Sequence, residues 1–188
     1  MKKTLLLIAL VCISVISAAA QKPEPKITLP AEPSLDSGLW KEYSYKEDNV
    51  RFRMPVEPEV TADKAKNERK YARGPFELTV SPAGVDVGKD REVQKRYMIL
   101  LSLSIDESMK TSGDKVIKRE STVDGMPALY IELESSDGTI NRAKMFAVGE
   151  KVYTAQVDIP KSDRSGPQQK EIEKAATAFL DSIHLISK

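Results

Sequence analysis

Between Asp114 and Ile186 the chain alternates apolar and polar residues in four short runs, broken by turn dipeptides, and then gives way to one amphipathic segment. A period of two marks each run as a half-buried strand. Turns of so few residues make consecutive strands antiparallel, because a parallel neighbour needs a crossover of a dozen residues or more. Val116–Val123 turns at Asp124-Gly125 into Ala128–Leu133, where Leu129, Ile131 and Leu133 face one side and Tyr130, Glu132 and Glu134 the other. Asp137-Gly138 predicts a tight hairpin with positive φ at both central positions, followed by Thr139–Val148. Gly149-Glu150 then leads into Val152–Ile159, with Tyr153, Ala155, Val157 and Ile159 on one face. This is an antiparallel meander of three to four strands. Pro167 suits the first turn of a following helix, whose packing stripe is Ile172, Ala175, Ala176, Phe179 and Ile183, and His184 falls in a closing strand.

The residues before the meander predict further strands at Leu39–Tyr45 and Val50–Met54, with Asn49 as the turn between them and Pro55 and Pro58 ending the second. Val50, Phe52 and Met54 alternate with Arg51 and Arg53. A second hairpin is expected at 68–73 and 76–81 around Gly74-Pro75, with Phe76, Leu78 and Val80 sharing a face. From Gly84 to Lys110 two periods compete. Val93, Tyr97, Leu101, Ile105 and Met109 form a helical stripe, whereas Leu101-Ser102-Leu103-Ser104-Ile105 alternates like a strand. Nearly twenty residues without Gly or Pro exceed an ordinary strand, so the segment is expected to be helical over 91–109, with Gly113 as its stop.

The first twenty residues read as a secretory signal peptide: Lys2 and Lys3, an apolar run from Leu5 to Ile16, and Ala18-Ala19-Ala20 as a cleavage site before Gln21. The apolar run is shorter than the roughly 20 residues a membrane span requires, so no integral span is expected after cleavage. Cys12, the only cysteine, lies inside that run after Leu10 and Val11, and reads as part of the signal, not as a lipidation site. The mature chain then has no thiol for a disulfide, a zinc site or a nucleophile. Residues 21–37 hold Pro23, Pro25, Pro30 and Pro33 and read as a flexible linker. Residues 38–188 form one domain, long enough to bury a single core without covalent staples.

The full chain carries 29 basic and 28 acidic residues, so losing Lys2 and Lys3 leaves a formal charge of −1. That balance lacks the clustered positive charge of nucleic-acid-binding proteins. The densest basic stretch, Lys64, Lys66, Arg69, Lys70 and Arg73, is diluted by Asp63 and Glu68 and reads as a solvated loop. His184 is the sole histidine; a triad with Asp181 or Asp158 is conceivable, but no G-x-S-x-G turn accompanies it, and a surface sheet residue is the simpler reading. One histidine excludes histidine-pair metal sites. Asp86 with Asp90, and Asp137 through Asn141, are too sparse for a calcium loop. Neither a phosphate loop nor a dinucleotide fingerprint is present. No residue is therefore expected to be catalytic, cofactor-binding or metal-ligating, and no cofactor is expected.

Trp40 and Tyr43 followed by Val50-Arg51-Phe52-Arg53-Met54-Pro55 resemble the "W-x-x-y…gF-x-x-x-x-P" opening of PsbP-like proteins. Gly125-Met126-Pro127-Ala128 resembles their "G-x-P-a" turn, and Arg142 with Val148-Gly149-Glu150-Lys151-Val152-Tyr153 their "R…v-g-x-r-l-Y" hairpin. Phe179-Leu180-Asp181-Ser182-Ile183 resembles the terminal "F-l-x-S-F", with Ile183 in place of the usual aromatic. The resemblance spans residues 39–186. It implies an α+β fold, an antiparallel β-sheet with helices packed on both faces, the Mog/PsbP-like α/β/α sandwich. The name-giving member stabilises photosystem II and another branch binds a small GTPase, but no position here matches a binding motif of either.

Together these readings predict an exported, periplasmic or secreted, non-enzymatic domain. Its partner is expected to be another envelope or secreted protein, with no nucleic acid, and its role accessory or in assembly. The alternatives are a small-ligand carrier with a pocket under the 91–109 helix, and a hydrolase using a carboxylate pair between sheet and helix.

Overall fold

The structure, a computed structural model, describes residues 40–109, 114–161 and 168–186. The expected signal peptide, linker, Gly113 helix stop and Pro167 helix start lie outside those residues.

Seven strands form one antiparallel sheet in the order β3 (Glu59–Asp63), β4 (Glu68–Arg73), β5 (Phe76–Pro82), β9 (Lys151–Ile159), β8 (Ile140–Val148), β7 (Met126–Glu134), β6 (Lys115–Val123). The expected meander is its four-stranded β6–β9 half. The Asp124-Gly125 turn is the tight two-residue hairpin: Val123 pairs with Met126, and φ is +49° and +77° at the two central residues. At Asp137-Gly138 only Gly138 takes the positive φ, +87°. There the loop is longer than expected, closed by Ser135 N–H to Thr139 O and steadied by the Asp137 carboxylate, which accepts from Thr139 N–H at 2.8 Å.

A smaller antiparallel sheet has the order β1 (Lys41–Tyr45), β2 (Val50–Met54), β10 (His184–Leu185). A 3-10 turn, Lys46–Asp48, joins β1 to β2 and ends at Asn49 in the left-handed region, φ +53°. β2 buries Val50, Phe52 and Met54 and exposes Arg51 and Arg53, as the alternation requires.

Helix α1 (Arg91–Met109) and helix α2 (Gln168–Asp181) pack on opposite faces of the large sheet. The sheet is two-faced because successive side chains point opposite ways. On one face Phe146, Tyr153, Ala155 and Val157 meet Ile172, Ala176, Phe179 and Leu180 of α2 together with β2. On the other, Leu129, Ile131, Ala143, Met145, Ala147 and Val152 meet Tyr97, Met98, Leu101 and Ile105 of α1. The helices therefore lie on both faces, as the α+β sandwich expected from the sequence demands. The first core is strongly aromatic: Phe179 sits 5.3 Å from Phe76 and 6.3 Å from Phe52 between ring centres, and Phe146 stacks on Tyr153 at 4.7 Å.

Three details differ from the sequence expectation. β3 carries no alternation and all five of its residues are exposed, so an edge strand left no pattern to read. The α1 stripe is rotated: Gln94 and Met98 are buried, whereas Val93 is 43% exposed. Leu180 joins the buried side of α2, and Ile183 lies beyond the helix end.

Candidate functional site

His184 stands on β10 with Nδ1 2.7 Å from Asp124 Oδ1, while Asp124 Oδ2 accepts the Leu185 N–H at 2.7 Å. The left-handed turn at Asp124-Gly125 aims that carboxylate at the last strand. Partial burial would raise the Asp124 pKa, but the bonds from His184 and Leu185, with the Arg51 charge, hold it below the usual range. Neither expected triad acid is there. Asp181 accepts from Lys144 Nζ at 2.6 Å, and Asp158 from Asn141 Nδ2 at 2.7 Å. Ser182, two residues from His184, is engaged as well: its Oγ donates to Phe179 O at 2.7 Å and accepts Arg53 N–H at 2.9 Å. The histidine thus clamps the C-terminal strand to a hairpin turn.

The carboxylates closest to an acid–base pair are Glu77 and Asp158. Both lie on the α1-side face of the sheet, beside the β7–β8 region that α1 covers. Glu77 is registered against Gln156, and Asp158 against Asn141, so the two acids are diagonal neighbours, about 7–8 Å apart at the backbone. Burial raises the Asp158 pKa, the Glu77 charge adds to that rise, and the Asn141 bond and Lys70 oppose it. Both Glu77 oxygens are engaged: Oε1 accepts from Thr79 at 3.1 Å and Gln156 at 3.2 Å, and Oε2 pairs with Lys70 Nζ at 3.0 Å. A carboxyl of raised pKa beside a second carboxyl has the composition of a hydrolytic pair. Here Glu77 spends both oxygens on its own sheet.

The most buried acid among the described residues is Asp48, 5% exposed, which no sequence pattern singled out. It accepts from Tyr71 Oη at 2.5 Å, Arg69 Nη1 at 2.9 Å and Lys151 Nζ at 2.8 Å, and its carbonyl accepts from Tyr153 Oη at 2.9 Å. Burial alone would raise its pKa, yet these donors and the two cations hold it below the ordinary value. Burial pushes Tyr153 up to about 12, and burial with the Asp48 bond lifts Tyr71 well above the phenol range. The partners lie 21, 23 and 103 residues away in sequence, so no local motif announces them. A carboxylate held by three donors locks the small sheet onto the large one.

Other candidate groups serve local geometry. Asp90 Oδ1 accepts Glu92 and Val93 N–H at the start of α1, the N-cap role, and Asp86 accepts Gly88 N–H. In the basic stretch, Lys66 pairs with Asp63, Arg69 with Asp48, Lys70 with Glu77 and Arg73 with Glu59. Lys64 is exposed near the β3–β4 turn. Among the described residues no group of three His, Cys, Asp or Glu is placed to hold a metal ion, and no helix is long and apolar enough to cross a membrane. The space beneath α1, expected as a ligand pocket in one alternative, is occupied by Tyr97, Met98, Leu101 and Ile105. The outer side of α1 exposes Ile99, Leu100 and Leu103 by 50%, 47% and 58%.

These elements define an antiparallel α/β/α sandwich whose interior acids are consumed by the fold itself. No family model and no curated protein matches the chain. Among solved structures it is similar to cyanobacterial PsbP (CyanoP) from Synechocystis sp. PCC 6803, at 12% identity and a TM-score of 0.49, over 84% of this chain and 98% of that one. A crystal structure from Bacteroides thetaiotaomicron VPI-5482 is similar at 9% identity and a TM-score of 0.38, over 74% of this chain and 46% of that one.

Proposed function

We propose that the mature chain is a non-catalytic, exported binding domain that serves as an accessory or assembly factor for another protein of the cell envelope. The observation that carries this reading is the fate of the acids and the histidine. Asp48, Glu77, Asp124, Asp158 and Asp181 each hold a named partner of the same chain, and His184 holds Asp124. Groups spent on internal geometry leave the surface as the means of action. The N-terminal pattern of residues 1–20 supports export.

The test has two arms. In intact cells, photo-cross-linking from positions on the domain surface should capture a defined envelope protein with the same cross-link position in replicate experiments. In vitro, the purified mature domain should fail to turn over ester, glycoside and phosphoester panels. Turnover that disappears in Glu77→Gln or Asp158→Asn would replace this reading with the hydrolase alternative, for which that diagonal acid pair is the specific support.

A further inference from the structure

We propose that the solvent side of α1 is a self-association seam on which two copies of this chain pair their helices antiparallel. Gln94, Tyr97, Met98, Leu101 and Ile105 take the buried side of α1. The opposite side then presents Val93, Arg96, Leu100, Leu103 and Glu107, all exposed, at successive spacings of three, four, three and four. That is the repeat of a helix–helix seam, on the side where a helix packed once against a sheet is expected to be polar. Val93, Leu100 and Leu103 are 43%, 47% and 58% exposed, and Ile99 flanks them at 50%.

The charges on the seam choose the occupant. In an antiparallel pair centred between Leu101 and Ser102, Leu100 of each copy meets Leu103 of the other, and Arg96 of each meets Glu107 of the other. Four leucines are then closed at both ends by opposite charges. A parallel pair would set Arg96 against Arg96 and Glu107 against Glu107, and like charges brought together disfavour it. A seam that is its own complement under a twofold rotation is the mark of an isologous dimer. A foreign partner would place no such condition on the order of these residues. The helix spans about 28 Å for its 19 residues. One helix pair of that length falls below the standard interface size, so the dimer is weak and forms as concentration rises. This inference does not depend on the non-catalytic reading, since an enzyme could carry the same seam.

Sedimentation equilibrium of the mature chain between about 5 and 500 µM tests it. The expected result is a mass that climbs from monomer toward dimer. Arg96→Glu and Glu107→Arg should each weaken association by about tenfold or more. The double variant, which exchanges the two charges, should return it to near the wild-type value. Leu103→Glu should abolish it, with circular dichroism showing each variant still folded. A wild-type chain that stays monomeric throughout overturns the proposal. So does a dimer that the single reversals leave intact, or a double variant that fails to recover.

Discussion

The Tyr71 hydroxyl donates to the buried Asp48 carboxylate at 2.5 Å, joining β4 to the turn between β1 and β2. Removing either end has unequal consequences. Tyr71→Phe deletes one donor while Arg69 and Lys151 still balance the charge, and should cost about 1–2 kcal/mol. Asp48→Ala removes the acceptor that three donors share, and should cost about 3 kcal/mol or more. Urea unfolding midpoints at neutral pH measure both; equal losses would contradict a hub centred on Asp48.

Asp48 and the half-buried Asp158 should respond to pH with opposite signs. Asp48 has a folded pKa below its ordinary 3.8. Its contribution is complete above 3.8 and is lost as pH falls through the folded value. Asp158 has a folded pKa above 3.8. Its contribution is complete below 3.8 and is lost as pH rises through that higher value. Asp48→Asn should therefore be less stable than wild type at neutral pH, with the gap narrowing in acid. Asp158→Asn should be more stable than wild type at neutral pH, its advantage shrinking in acid. Denaturation series across pH 3 to 7 read both trends directly.

Lys144 is only 6% exposed, yet its ammonium reaches the more exposed Asp181 carboxylate at 2.6 Å. The partners differ in burial, so they differ in what their loss leaves behind. Asp181→Ala strands a buried cation and should cost about 1–3 kcal/mol. Lys144→Met replaces that cation with an apolar chain of similar reach and should fall within about 1 kcal/mol of wild type. Thermal melts of the two variants should rank them in that order; a larger loss for Lys144→Met would mean the pair itself is strongly favourable.

The turn at Asp124 and Gly125 should govern the C-terminal strand. Asp124→Ala removes the acceptor for both His184 and the Leu185 N–H. Hydrogen exchange at Leu185 should then accelerate about tenfold or more while amides in β8 and β9 keep their protection. Gly125 has φ +77° and open space where a Cβ would stand. Gly125→Ala should thus cost only the backbone strain of the left-handed region, about 1–2 kcal/mol, visible as a shifted melting temperature.

What the residues announce in advance follows from how locally each feature is encoded. Val50, Phe52 and Met54 on one strand, and Tyr153, Ala155 and Val157 on another, declare their faces through their own spacing, and both sets are buried. β3 was silent because an edge exposed on both sides imposes no alternation. On α1, Val93 fits the helical repeat as well as Met98 does. Two apolar sides on one helix leave period alone unable to say which faces the sheet. Asp48 was illegible for a different reason: its partners come from β4 and β9, and only the closed chain assembles them. His184 lies on the closing strand that the sequence placed there, and its acid comes from a turn sixty residues earlier, which no local spacing could announce.

The pairing of β10 with β2 sets Leu185 against Val50, and the Ile186 N–H reaches Asn49 O. One edge of β2 is therefore covered only by a strand far along the chain, and the same closure brings Phe52 against Phe179. A contact between residues so far apart in sequence carries a large loop-closure cost and forms after the local hairpins. The short strand β10 is therefore a latch that holds the small sheet shut.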